Sequence, residues 1–155
     1  MKKIFAGLVL LLLTSCVPPS GPPPVKFDRV ALSAQLAELP GVRVSPDAEL
    51  QFSYPAQSLF GFGAVLPLPG GTRLLDPLAA FLLRNPGLRW QVDVQVKTEY
   101  GTDYDQTLAE KRSELLATYL LIKGVDLGEL QFQPAAATAD ALVFTLDQAQ
   151  KTVKQ

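Results

Sequence analysis

Apolar positions along this chain switch between helical and strand-like spacing, and the switches mark its elements. From Phe27 to Leu39, apolar residues recur at Val30, Leu32, Leu36 and Leu39 with charges between them. That spacing predicts a short amphipathic helix ended by Pro40-Gly41. Val42-Arg43-Val44 and then Leu50-Gln51-Phe52-Ser53-Tyr54 alternate apolar with polar, predicting two short strands broken at Ser45-Pro46-Asp47. Glycines and prolines from Gly61 to Gly71 predict a loop. Leu74, Leu75, Leu78, Phe81 and Leu82 restore helical spacing until Asn85-Pro86-Gly87 stops it. Because Pro77 is awkward inside a helix, the first turn is expected near Leu75, with Asp76 close to the N-cap.

Residues 89–98 carry the clearest strand pattern, with Trp90, Val92, Val94 and Val96 alternating with polar residues. After a turn at Tyr100-Gly101-Thr102-Asp103, a second helix is predicted from Asp105 to Lys123, with Asp105 as N-cap and Leu108, Leu115, Tyr119 and Ile122 on its apolar stripe. Leu130 to Gln133 and Ala141 to Leu146 supply two more strands, and Gln148 to Gln155 is a polar tail expected to fray. The predicted order is β-α-β-α-β-β. It describes an α+β sandwich with two helices packed on one face of a small mixed sheet, its first crossover right-handed.

Composition narrows the chemistry. The 155 residues include no histidine and one cysteine. That rules out a Ser-His or Cys-His nucleophile, an imidazole base, a His-ligated zinc site, an internal disulfide and a CxxC redox pair. No cofactor or metal site is expected. With 14 basic and 15 acidic residues, the chain lacks the basic excess that nucleic-acid phosphates demand. An enzyme would have to work with carboxylates, Lys or Tyr, for example a pair of acids in a cleft. Glu99 with Asp103 or Asp105 on a short loop is not a distinctive pair of that kind.

The N-terminus reads as an address. Lys2 and Lys3 precede an uncharged apolar run from Ile4 to Leu13, too short for a bilayer span of about 20 residues. The ending Leu13-Thr14-Ser15-Cys16 resembles the bacterial lipobox read by the lipoprotein signal peptidase. The resemblance implies removal of residues 1–15 and acylation of Cys16, palmitate included, on sulfur and amine. Several acyl chains anchor far more firmly than one, at about 0.8 kcal/mol per buried methylene. Val17 in place of an Asp implies sorting to the outer membrane, with the folded part facing the periplasm. Residues 16–26 continue as a proline-rich tether of extended geometry, unable to donate regular backbone hydrogen bonds. The organisation expected is then 27–49, an N-terminal helix and short strand; 50–147, the main domain; and 148–155, the tail.

A second resemblance spans roughly residues 50–146. Leu59-Phe60-Gly61-Phe62-Gly63-Ala64-Val65-Leu66-Pro67-Leu68-Pro69-Gly70, then Leu75-Asp76-Pro77-Leu78-Ala79, resembles the entry to the OmpA-like C-terminal domain. Tyr104-Asp105-Gln106-Thr107-Leu108-Ala109-Glu110-Lys111-Arg112 matches the spacing of that family's Tyr-Asn-x-x-Leu-Ser-x-x-Arg, and Lys97-Thr98-Glu99 stands where the family has His-Thr-Asp. The resemblance implies peptidoglycan binding through the diaminopimelate of a stem peptide. Glu99 would pair with the ligand amine and Arg112 with its carboxylate, and Thr98, Asp105 and Leu108 would complete the site. A zwitterion needs such a pair, and the planar guanidinium fork suits a carboxylate. The chain departs from the pattern in four places: Glu replaces Asp, Asp105 replaces Asn, the Glu99–Tyr104 loop is two residues short, and the Asn-Arg-Arg segment is missing.

Two functional readings follow. One is a lipid-anchored protein that ties outer membrane to cell wall by holding peptidoglycan. The other is an OmpA-like scaffold or accessory subunit that binds other envelope proteins through the same fold with a degenerate pocket. Trp90 could offer a sugar-stacking surface, but its place on the apolar face of its strand favours a core role.

Overall fold

The computed structural model describes residues 27–45 and 50–147. The expected signal peptide, Cys16, the expected tether, the Pro46-Asp47 break and the polar tail lie outside the described residues. In chain order the elements are α1 (Arg29–Ala37), β1 (Arg43–Val44), β2 (Gln51–Pro55), α2 (Ala56–Leu59), α3 (Gly71–Arg84), β3 (Trp90–Val96), α4 (Thr102–Ile122), a 3-10 turn (Leu127–Glu129), β4 (Leu130–Ala136) and β5 (Ala141–Leu146). Among the described residues, no helix is long and apolar enough to cross a membrane.

The strands form one sheet in the order β1-β2-β5-β3-β4, parallel only between β3 and β4. β2 and β3 each run antiparallel to β5, so they are parallel to one another with β5 between them. Register aligns the apolar positions across the sheet. Phe52 faces Phe144, Phe144 faces Val92, and Val92 faces Phe132. Period-two alternation therefore puts one apolar face of the whole sheet under the helices. Phe52 stacks on Phe144 with centroids 4.7 Å apart, and Phe81 of α3 and Trp90 meet Phe52 edge-on. Trp90 is buried in this cluster and belongs to the core. The α+β architecture, with helices packed on a mixed five-stranded sheet, is as the sequence predicts.

Three boundaries differ from expectation for physical reasons. Helix α3 begins at Gly71 and carries Pro77 inside it. The proline removes the amide that would bond the carbonyl of Arg73, which sits in the exposed first turn, where water can satisfy it. At its first residue Gly71 passes against Leu59: a Cβ there would lie 2.8 Å from the Leu59 carbonyl oxygen. Helix α4 begins at Thr102, so Asp105 is not its N-cap, and the cap position is Gly101. The predicted stripe on α4 also turns out differently. Leu108 is buried, but Leu115 and Tyr119 are only half-buried and Ile122 is exposed; Asp105, Ala109, Arg112, Ser113, Leu116 and Leu120 take the inner face. Finally, β4 extends through Pro134, tolerated because β4 is an edge strand.

Candidate functional site

The site lies where the loop after α2, the exit of β3, the inner face of α4 and the β4–β5 connection meet. The loop is drawn into a closed turn: the Leu68 amide donates to the Leu59 carbonyl at 2.7 Å, Phe60 bridges to Pro67, and the Ala64 amide donates to the Gly61 carbonyl at 3.0 Å. Carbonyls of that turn aim at Arg112. Its Nε donates to Ala64 O at 2.9 Å and one terminal nitrogen donates to Gly61 O at 3.2 Å. The other donates to Asp140 Oδ1 at 2.8 Å, closing an ion pair. The ring of Phe60 covers the guanidinium, 4.5 Å from centroid to Cζ. Arg112 is only 1% exposed.

The cost of this burial is offset by electron-rich partners on three of its N–H groups and one face: two carbonyls, a carboxylate and a ring. Asp140 is 25% exposed and is held from the other side as well, its backbone carbonyl accepting from the Ala56 amide. Burial pushes the Asp140 carboxyl above its ordinary value, and Arg112 pulls against that shift.

Asp105 does different work. Its Oδ1 accepts from the Thr98 hydroxyl and, at 3.0 Å, from the Thr98 amide. This clamps the end of β3 to the first turns of α4. The hydroxyl hydrogen bond holds the Asp105 carboxyl below its ordinary value against the opposing effect of burial, with the Thr98 amide and the charge of Lys97 adding to the lowering. Gln106 makes the matching clamp to β4: its Oε1 accepts from the Ala136 amide at 3.1 Å.

The five predicted site residues thus divide. Thr98, Asp105, Leu108 and Arg112 are all buried on the seam between β3 and α4, while Glu99 is exposed on the loop outside it. Among the described residues, the carboxylate beside Arg112 is that of Asp140, and no hydrogen bond or ion pair joins Glu99 to Arg112. Sequence reasoning missed Asp140 and the Gly61 and Ala64 carbonyls. The one available signal was that Asp140 is the sole acid in the Ala-rich stretch from Pro134 to Leu142.

No family model matches the chain, and no curated protein matches it in sequence. Solved structures do match its fold. A MotB-like protein from Desulfovibrio vulgaris superposes with a TM-score of 0.61 at 16% identity, covering 76% of this chain and 90% of its own. The cell wall anchor of the T6SS from Pseudomonas aeruginosa gives 0.57 at 15% identity, with 76% and 94% covered. The OmpA-like domain of FopA1 from Francisella tularensis gives 0.51 at 12% identity, with 68% and 81% covered. The described chain therefore has the fold of an OmpA-like domain.

Proposed function

We propose that this chain is a lipid-anchored bacterial envelope protein whose OmpA-like domain associates non-covalently with peptidoglycan, holding the outer membrane to the cell wall by ion pairing without chemical turnover. Cys16 carries the acyl anchor, and the domain faces the periplasm. The fold supports this, as does its likeness to a protein described as a cell wall anchor. The observation that carries the reading is Arg112. Three of its five donor N–H groups and one ring face orient a guanidinium that already takes a carboxylate, that of Asp140, from a loop side chain only three-quarters shielded from water. The carboxylate of a diaminopimelate stem is chemically equivalent to that occupant. It binds by exchange with Asp140, and Glu99 on the neighbouring loop is free to meet the ligand amine.

Retention of the full chain on purified sacculi tests this. Asp140→Asn removes the internal competitor and raises retention about tenfold, whereas Arg112→Lys keeps the charge, loses the fork and lowers it by a similar factor. Folding of both variants is verified by near-UV circular dichroism. Unchanged retention in both overturns the site. Cys16→Ser moves the protein out of the membrane fraction and abolishes incorporation of a palmitate label; persistence of the label would rule out that anchor.

A second reading, the scaffold, is favoured by one feature. The outer side of α4 and the loop bound an open groove of about 700 Å³, lined by Val65, Pro67, Leu115, Tyr119 and Ile122 among others. A protein partner seated there would need no release of Asp140. An envelope protein that co-purifies with the chain and is lost on Ile122→Asp, with no sacculus binding, would establish this reading in place of the first.

A further inference from the structure

We infer that Phe62, Tyr100 and Tyr104 form a stacking surface for a pyranose ring, the glycan part of the ligand whose peptide part is assigned above to Arg112. This inference rests on the peptidoglycan reading and supplies a contact that reading did not need. The three rings come from the loop after α2, the turn after β3 and the first turn of α4, and gather into one cluster. Phe62 and Tyr100 lie 5.8 Å apart with planes at 54°, and Tyr100 and Tyr104 lie 5.0 Å apart at 67°. Yet they remain 66%, 59% and 42% exposed. A single exposed aromatic needs no explanation, but a contiguous cluster of three marks a surface built to be covered.

The cluster is held in shape before any ligand arrives. Tyr104 donates its hydroxyl to the Gly63 carbonyl at 3.0 Å. Gly63 has φ +62°, and a Cβ there would lie 3.4 Å from both Tyr100 Cε2 and the Tyr104 hydroxyl. The left-handed backbone favours glycine, and a Cβ there would only touch both rings. Rings with two torsions each, one of them tied by a hydrogen bond, lose little entropy on binding.

The surroundings select the ligand. Glu99 precedes Tyr100 and Asp103 precedes Tyr104, and both acids are exposed. Anionic lipid or nucleic acid would be repelled by them. A pure hydrocarbon would leave their hydrogen-bonding capacity idle. A pyranose presents a C–H face to the rings while its rim of hydroxyls and acylated amines donates to the Asp103 carboxylate, Glu99 being the acid assigned above to the ligand amine.

Position agrees with a glycopeptide. Tyr104 and Arg112 are eight residues apart on α4, about 12 Å along its axis. The same turn holds both, through the Gly63 carbonyl for Tyr104 and the Gly61 and Ala64 carbonyls for Arg112. An extended peptide of three residues covers about 10–11 Å. A sugar on the aromatic cluster thus leaves the backbone of the third stem residue an ångström or two short of the level of Arg112, a gap that residue's own long side chain spans.

The test uses the full chain and two probes: glycan strands stripped of peptide by an amidase, and the soluble stem tripeptide ending in diaminopimelate. Both Phe62 and Tyr100 are exposed, so Phe62→Ala/Tyr100→Ala should fold, as checked by its urea midpoint. The inference expects the wild-type chain to bind peptide-free glycan and the double variant to bind it about tenfold more weakly. Wild-type protein that ignores peptide-free glycan, or a double variant that binds it equally, overturns the inference. The tripeptide arm reports separately on Arg112: failure there with glycan binding intact removes the stem reading and leaves the stacking surface standing.

Discussion

Two carboxylates within a few residues of the same seam respond to acid with opposite sign. Asp105 has its pKa lowered by Thr98, so its clamp contributes stability above the unfolded carboxylate value of about 3.9 and loses it as pH falls through the lower folded value. Asp140 has its pKa raised by burial, so folding favours its protonated form, and its contribution grows as pH falls through that raised value. The stability gap between the wild-type chain and Asp105→Asn is expected to be full at pH 7 and to shrink as pH falls below the unfolded carboxylate value, measured as urea midpoints. A gap that widens in acid would show that Asp105 is not the clamp described. At neutral pH the Arg112–Asp140 pair is the costlier one to break. Removing Asp140 strands donors of the nearly dry Arg112, at about 3–5 kcal/mol, and removing Arg112 costs less because Asp140 is a quarter exposed, yet it also empties the seat of a large buried side chain. Any Arg112 variant used as a binding probe therefore has to be checked for folding first.

Helix α3 is seated by a backbone contact rather than by its apolar stripe alone. Gly71→Ala is expected to destabilise the protein by about 1–3 kcal/mol, because the new methyl meets the Leu59 carbonyl oxygen at 2.8 Å and backbone cannot step aside as a side chain can. Its thermal midpoint should fall accordingly; an unchanged midpoint would mean that α3 can slide. The start of α3 is only partly legible in the sequence. Pro77 is visible in sequence, but the fit of Gly71 against a residue twelve positions earlier is not. Strand β3 was legible nearly to the residue, because strict alternation from Trp90 to Val96 has one geometric solution. Helix α4 was legible in extent but not in facing. Its inner side carries Asp105 and Arg112, which hydropathy assigns to water, and their burial depends on Thr98 and on Asp140, 28 residues beyond Arg112. The spacing from Tyr104 to Arg112 singled out the arginine; no local pattern could supply its partner.

For the molecule as a whole, β5 is the element that makes a sheet out of two pieces. β1 and β2 form one pair and β3 and β4 another, and only β5 touches both. A chain ending at Asp140 is expected to lose cooperative unfolding and its near-UV signal, since Phe144 and its stack on Phe52 go with the strand. A truncated chain that still melts in one sharp transition would contradict this topology. The placement also has a consequence in time. A chain that emerges N-terminus first, from a ribosome or through a narrow pore, presents β2 and then β3 with the seat between them vacant until residues 141–146 follow. Closing that gap requires long-range pairing, the slow step for a small domain. The domain thus stays pliable through most of its own delivery and becomes rigid only when its last strand has arrived.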